Sequence, residues 1–175
     1  MPFLNPENVI KAAGIEHGMS VADFGAGAGF YTIPLAHTVG PGGTVYALEI
    51  QKSALEVIKS KAKGARLLNI HPIWADLDSP GGSHVADEGV NAVFISNILF
   101  QTDHKKEMLR EAFRILKPGG VIALMDWAFS AKGGPPAGRI VKREAAEELL
   151  EAAGFKRVRD FFAGDAHYGL LYQKP

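Results

Sequence analysis

The chain has 175 residues, 47% of them hydrophobic, and its 19 Lys and Arg balance 19 Asp and Glu to a formal net charge of zero. That length suits one domain burying about two-thirds of its unfolded surface, and zero net charge argues against tight nucleic-acid binding, which needs an excess of Lys and Arg to neutralise phosphates. The absence of cysteine excludes a disulfide framework, a thiolate zinc site and a thiol nucleophile.

The stretch from Met1 to Pro6 has neither the charged nor the apolar region of a secretory leader, and no apolar run is long enough to span a membrane, so the expectation is a soluble cytoplasmic protein. Pro6 to Ala13 reads as a helix capped by Asn5. Val21 to Phe24 is an apolar strand that runs into Gly25-Ala26-Gly27-Ala28-Gly29, and a helix-compatible segment follows from Phe30 to Val39. Pro41-Gly42-Gly43 turns into a second strand, Thr44 to Leu48, which ends at Glu49. Lys52 to Ala62 places Leu55, Ile58 and Ala62 on one helical face, and the basic run Lys59, Lys61, Lys63 and Arg66 reads as a solvated face. Leu67 to Trp74 is a third strand limited by Pro72, with Asp76 just beyond it.

The connection from Leu77 to Gly89 holds Pro80-Gly81-Gly82 and offers little helix, and Val90 to Ser96 is a fourth strand, apolar on both faces. His104 to Leu116 is the strongest helix, capped by Thr102 or Asp103, and Lys117-Pro118-Gly119-Gly120 stops it and turns into a fifth strand, Val121 to Asp126. Trp127 to Gly138 is a Gly- and Pro-rich loop, Arg143 to Ala153 a last helix, and Phe155 to Phe162 and Gly169 to Gln173 two closing strands too near in sequence for a parallel crossover. The alternation predicts an α/β fold: a Rossmann-like, doubly wound, mostly parallel seven-stranded sheet with an antiparallel C-terminal edge hairpin and helices on both faces. Residues 1–175 read as a single domain with no separate substrate domain. The six histidines show neither HxH nor HxxxH spacing, and no metal is expected.

Glycines at alternate positions after a strand let a ligand lie against bare backbone. Glu49, twenty residues beyond Gly29 at the tip of the next strand, can accept from both hydroxyls of a ribose. The dinucleotide fingerprint requires glycine at its sixth position, where this loop has Phe30, so the NAD pattern fails. Asp23, two residues before the loop, would repel a pyrophosphate and suits a cationic amino-acid tail.

From Asn5-Pro6 through the glycine loop and Gly119-Gly120 to Ala153-Gly154-Phe155, the chain resembles the class I S-adenosylmethionine-dependent methyltransferases, in a small-molecule branch similar to the ubiquinone and menaquinone biosynthesis enzymes. The resemblance implies S-adenosylmethionine as cofactor and S-adenosylhomocysteine as product. It also implies that Asp23, Gly25, Ala26, Gly27 and Gly29 hold the methionine moiety and Glu49 the ribose, that Ile50 and Leu77 sandwich the adenine, that Asp76 accepts from its amino group, and that Ser96 and Asn97 meet the methionine end. Asp76 could instead make a turn with Ser79-Pro80, and Asn97 could satisfy a strand end.

Gln101, Trp127 and Arg139 are the substrate-side candidates, and Phe3 and Leu4 either fold over the site or pack on the sheet. The family often has a histidine near Gln101, and its absence leaves Asp126, Asp103, His104 and His167 as candidate bases, with Asp126 best placed at a strand tip. The expected activity is in-line methyl transfer to a small-molecule acceptor. Methylation of a protein or RNA, and a non-catalytic S-adenosylmethionine-binding subunit, are the alternatives; monomer and homodimer both stay open.

Overall fold

A computed structural model describes residues 5–175; Phe3 and Leu4 lie outside them. Five α-helices alternate with seven strands: α1 (Pro6–Ala12), β1 (Ser20–Phe24), α2 (Thr32–Val39), β2 (Thr44–Glu49), α3 (Lys52–Gly64), β3 (Ile70–Trp74), β4 (Val90–Ser96), α4 (Lys105–Ile115), β5 (Leu116–Trp127), α5 (Arg143–Ala152), β6 (Lys156–Asp160) and β7 (His167–Gln173). They form one seven-stranded sheet in the order β3-β2-β1-β4-β5-β7-β6. Pairing is parallel from β3 to β5 and antiparallel for β5 with β7 and β7 with β6.

Alternate residues of each central strand face opposite helical layers. Ala22, Phe24, Val93, Ile95, Ile122 and Leu124 pack with Met108, Leu109, Ala112 and Ile115 of α4 and with Ala146 and Leu150 of α5. Val21, Ala92, Phe94, Ala123 and Met125 face Val9 and Ile10 of α1 and Leu35, Ala36 and Val39 of α2. A third cluster joins Ala26 and Ala47 to Leu55 and Ile58 of α3. This two-sided burial is what fully apolar parallel strands require.

Several boundaries differ from those expected. β3 begins at Ile70, not Leu67, because the Leu67 N–H still bonds Ala62 O at the end of α3 and the ladder opens only with Val45 N to Asn69 O. Lys117 to Gly120 lies within β5 and not in a free turn: Leu116 pairs with Val90, the register then shifts, and Gly119 and Gly120 bond Lys174. The cap of α4 is His104, with no side-chain bond; Thr102 Oγ1 accepts from the His104 N–H instead. In the closing hairpin β7 lies inside and β6 is the edge, its five residues all exposed and four of them charged, which suits a strand with one unpaired side.

Candidate functional site

The strand order reverses between β1 and β4, and there the chain leaves each strand at the carboxyl end of the sheet, where α/β folds place ligands. A cleft of about 530 Å³ opens at this point. It brings together Gly25, Gly27, Glu49, Ile50, Asp76, Leu77 and Gln101 of the expected residues. Ala28, Leu48, Gln51, Ala54, Ala75, Asp78, Ile98, Thr102 and Met108 complete its lining.

The glycine loop is held by the acid that sequence spacing singled out. Glu49, nearly buried, accepts from Gly27 N (2.8 Å) through Oε2 and from Gln51 N (2.8 Å) through Oε1. Each carboxylate oxygen keeps a second lone pair for a ligand hydroxyl. The three glycines do different things. Gly27, at φ 53°, has open space where a Cβ would stand, whereas a Cβ on Gly25 would meet Ile98 and one on Gly29 would meet Ile58. Ala26 packs against α3, so Ala26 and Gly29 hold the loop to the protein and turn away from the cleft.

Asp23 lies behind the loop, 1% exposed, and accepts from Thr32 Oγ1 at 2.6 Å. Burial pushes its carboxyl up to about 7, against the Thr32 bond, and the nearby Glu49 charge adds to the rise. Burial raises the Tyr31 hydroxyl, the nearby Asp23 charge raises it further, and its buried oxygen has no partner among the described residues.

One wall of the cleft is built from the helix-less connection after β3. Leu77 is buried, while Ile50 is 53% exposed at the opposite lip. Asp76 does make the turn: Oδ2 accepts from Ser79 Oγ (2.8 Å) and Oδ1 from Asp78 N (3.2 Å). Asp78, not anticipated, lines the cleft beside Asp76 and accepts from Thr102 Oγ1 at 2.7 Å. Its signal was an acid two residues beyond Asp76 in a turn sequence.

Ser96 and Asn97 end β4 outside the cleft lining. Asn97 has φ 55°, donates its N–H to Met125 O (3.0 Å) and accepts from Gln101 Nε2 through its carbonyl (2.9 Å). Its buried Oδ1 has no partner among the described residues.

Asp126 is 1% exposed and committed to backbone: Oδ2 accepts from Leu99 N (2.9 Å) and Oδ1 from Trp127 N (2.8 Å). Burial raises its pKa against those two bonds and the Lys105 charge. The Trp127 ring lies 4.3 Å from that of His167, its cross-strand partner. The His167 Nε2 is buried without a partner among the described residues, and burial lowers the ring's pKa. His104 is exposed at the head of α4, and exposed Arg139 reaches Phe100 O at 3.4 Å, so both stand outside the cleft lining.

A second cavity, about 510 Å³, lies among Gly43, Thr44, Leu67 and Asn69 at the opposite end of β2 and β3, away from the switch point. Among the described residues no group of three or more His, Cys, Asp or Glu could hold a metal, and no helix is long and apolar enough to cross a membrane.

A Rossmann-like sheet whose glycine loop is held by Glu49, open at Gly27 and with Phe30 where the dinucleotide fingerprint needs its last glycine, defines a nucleoside-cofactor-binding class other than the dinucleotide proteins. Comparison with known proteins agrees. The family described as "Methyltransferase domain" matches residues 15–167, and the chain belongs to it. Its cofactor is S-adenosylmethionine.

A demethylmenaquinone methyltransferase of Geobacillus sp. (strain WCH70) is 30% identical over 121 residues, 69% of this chain and 50% of the relative. A ubiquinone/menaquinone biosynthesis C-methyltransferase of Pasteurella multocida (strain Pm70) is 29% identical over 68% of this chain and 44% of its own length. The chain thus spans about half the length of these curated relatives. A SAM-dependent methyltransferase from Aquifex aeolicus superposes with a TM-score of 0.89 at 27% identity, covering 98% of this chain and 90% of that one.

Proposed function

We propose that this domain transfers the methyl group of S-adenosylmethionine to a small-molecule acceptor by in-line displacement. The observation that carries the reading is the cleft at the β1/β4 switch point, where Glu49 stands over a glycine loop with Gly27 open to a ligand. When bound, the cofactor supplies a methyl already activated on a sulfonium. Glu49 then accepts from the ribose hydroxyls and Asp23 compensates the ammonium. Leu77 and Ile50 hold the adenine, and Asp76 and Asp78 accept from its amino group. Orientation of this kind can supply roughly 7–11 kcal/mol of the barrier.

What remains is to hold the acceptor and take its proton. Asp126 is occupied by two backbone N–H groups, and its role in this reading is to hold the Leu99–Gln101 turn and Trp127 in place. Trp127 ends β5, exposed Phe129 follows it and exposed Phe30 follows the glycine loop after β1, and these rings favour an apolar, ring-bearing acceptor. Demethylmenaquinone, named for the Geobacillus relative, is therefore the first acceptor to assay. We place the protein in the cytoplasm and take residues 1–175 as one methyltransferase domain. The test is transfer of labelled methyl from S-adenosylmethionine to a reduced, short-chain demethylmenaquinone. Labelled product supports the reading, and no transfer by a cofactor-binding protein would remove this acceptor.

A further inference from the structure

The connection between β3 and β4 carries one wall of the cleft, Leu77 and the acids Asp76 and Asp78, without any helix to support it. Thr102 holds Asp78 near its start, and a buried carboxylate on α4 orders its second half. Glu111, 3% exposed, receives donors from every side. Oε1 accepts from Ser83 N (3.1 Å), Ser83 Oγ (2.5 Å) and Arg114 Nη2 (2.7 Å), and Oε2 from Gly81 N (3.1 Å) and Arg114 Nε (2.9 Å). Arg114 also donates to Val85 O (2.9 Å) and pairs with Asp87, so one ion pair gathers residues 81 to 87.

The clamp connects to the cleft through Gly82. That residue lies between the two N–H groups Glu111 holds, and it presses so closely on Asp76 that a Cβ there would overlap the Asp76 carbonyl. Gly82 N also bonds Ser79 O (3.0 Å), and Ser79 Oγ holds the Asp76 carboxylate. One turn before Glu111 on α4, Met108 lines the same cleft.

The geometry points to Glu111 as a positioning residue that, through Gly81–Ser83, sets where the Asp76 and Asp78 carboxylates stand and so fixes selectivity for the amino group of the adenine ring. This rests on the cofactor reading above. A site built to accept from an amino group should reject a ligand that presents a carbonyl there, because two acceptors would then face each other. The wall can read that difference only while its carboxylates are held.

The experiment compares binding of S-adenosylhomocysteine with that of S-inosylhomocysteine, which carries a 6-oxo group in place of the amine. Wild type should prefer the adenosyl compound by at least about tenfold. Glu111→Gln keeps the shape but turns an amide N–H₂ toward a backbone or Ser83 donor, and the preference should collapse to roughly twofold as the wall relaxes. Ser83→Ala, which removes one donor and leaves the charge paired, should give an intermediate preference and serves if Glu111→Gln does not fold.

A merely structural Glu111 would lower the melting temperature and leave the ratio of the two affinities intact in the folded variant; that result overturns the inference. So does a wild type that binds both compounds equally. A wild type that does not bind S-adenosylhomocysteine would instead sink the cofactor reading itself.

Discussion

Glu49 illustrates how one side chain can serve the loop and the ligand together. Both of its oxygens accept from backbone N–H groups, so it latches the glycine loop, and in the function proposed above the same oxygens take the ribose hydroxyls. Charge-assisted hydrogen bonds are each worth about 1.5–3 kcal/mol, and Glu49→Ala should weaken S-adenosylhomocysteine binding at least tenfold. Because the latch is lost as well, the melting temperature should fall too, and calorimetry with thermal unfolding checks both. Asp23 makes a prediction about pH. Its carboxyl is raised to about 7 by burial, so the free protein carries a proton there that the unfolded chain has already lost above about pH 4. The sign is that folding stability falls as pH rises from about 4 to 7 and levels off above. In the proposed function the ligand's ammonium favours the charged form of Asp23, so binding should expel that proton. Affinity for S-adenosylhomocysteine should rise up to about tenfold per pH unit below 7 and flatten above it. Asp23→Asn should lose that dependence, as isothermal titration at several pH values would show.

At the level of elements, the strands and helices that could be read from periodicity were those whose faces are buried by their own pattern. α4, with Met108, Ala112 and Ile115 on one face, and β4, apolar throughout, are examples. What could not be read depended on partners distant in sequence. Whether Leu116 to Gly120 is turn or strand is decided by Val90 and Lys174, and the start of β3 by where α3 lets go. The crossover after β3 was legible as a segment without helix, but its anchor, Glu111, looks in sequence like one more charged helical residue. The tip of β5 behaves similarly. Asp126 at a strand end resembles a base, and only the fold shows both its oxygens spent on Leu99 and Trp127. Asp126→Asn leaves one of those N–H groups facing an amide donor, which should destabilise the protein by about 1–3 kcal/mol. It should lower methyl transfer through displacement of the Leu99–Gln101 turn and leave the pH profile of turnover unchanged. A flattened profile in a folded variant would make Asp126 the base after all.

Across the whole molecule, the sheet brings together residues that lie far apart in the chain. The β1/β4 switch point sets Gly27, Glu49, Leu77 and Ile98 around one cleft. Spacing alone disclosed Gly27 and Glu49, the pair within one βαβ unit. Ile98, Thr102 and Met108 enter from the far side of the switch point, and no local signal marks them. The oxygens of Asn97 and Tyr31 that have no partner among the described residues lie in segments that leave β4 and precede α2. The central claim is that this cleft takes a nucleoside bearing an amino-acid tail and no pyrophosphate. Isothermal titration of the protein with S-adenosylhomocysteine and with NAD tests it most directly. The expected result is saturable binding of the adenosyl compound, abolished or weakened at least about tenfold by Glu49→Ala, and no heat from NAD. Saturable binding of NAD with none of S-adenosylhomocysteine would contradict the account.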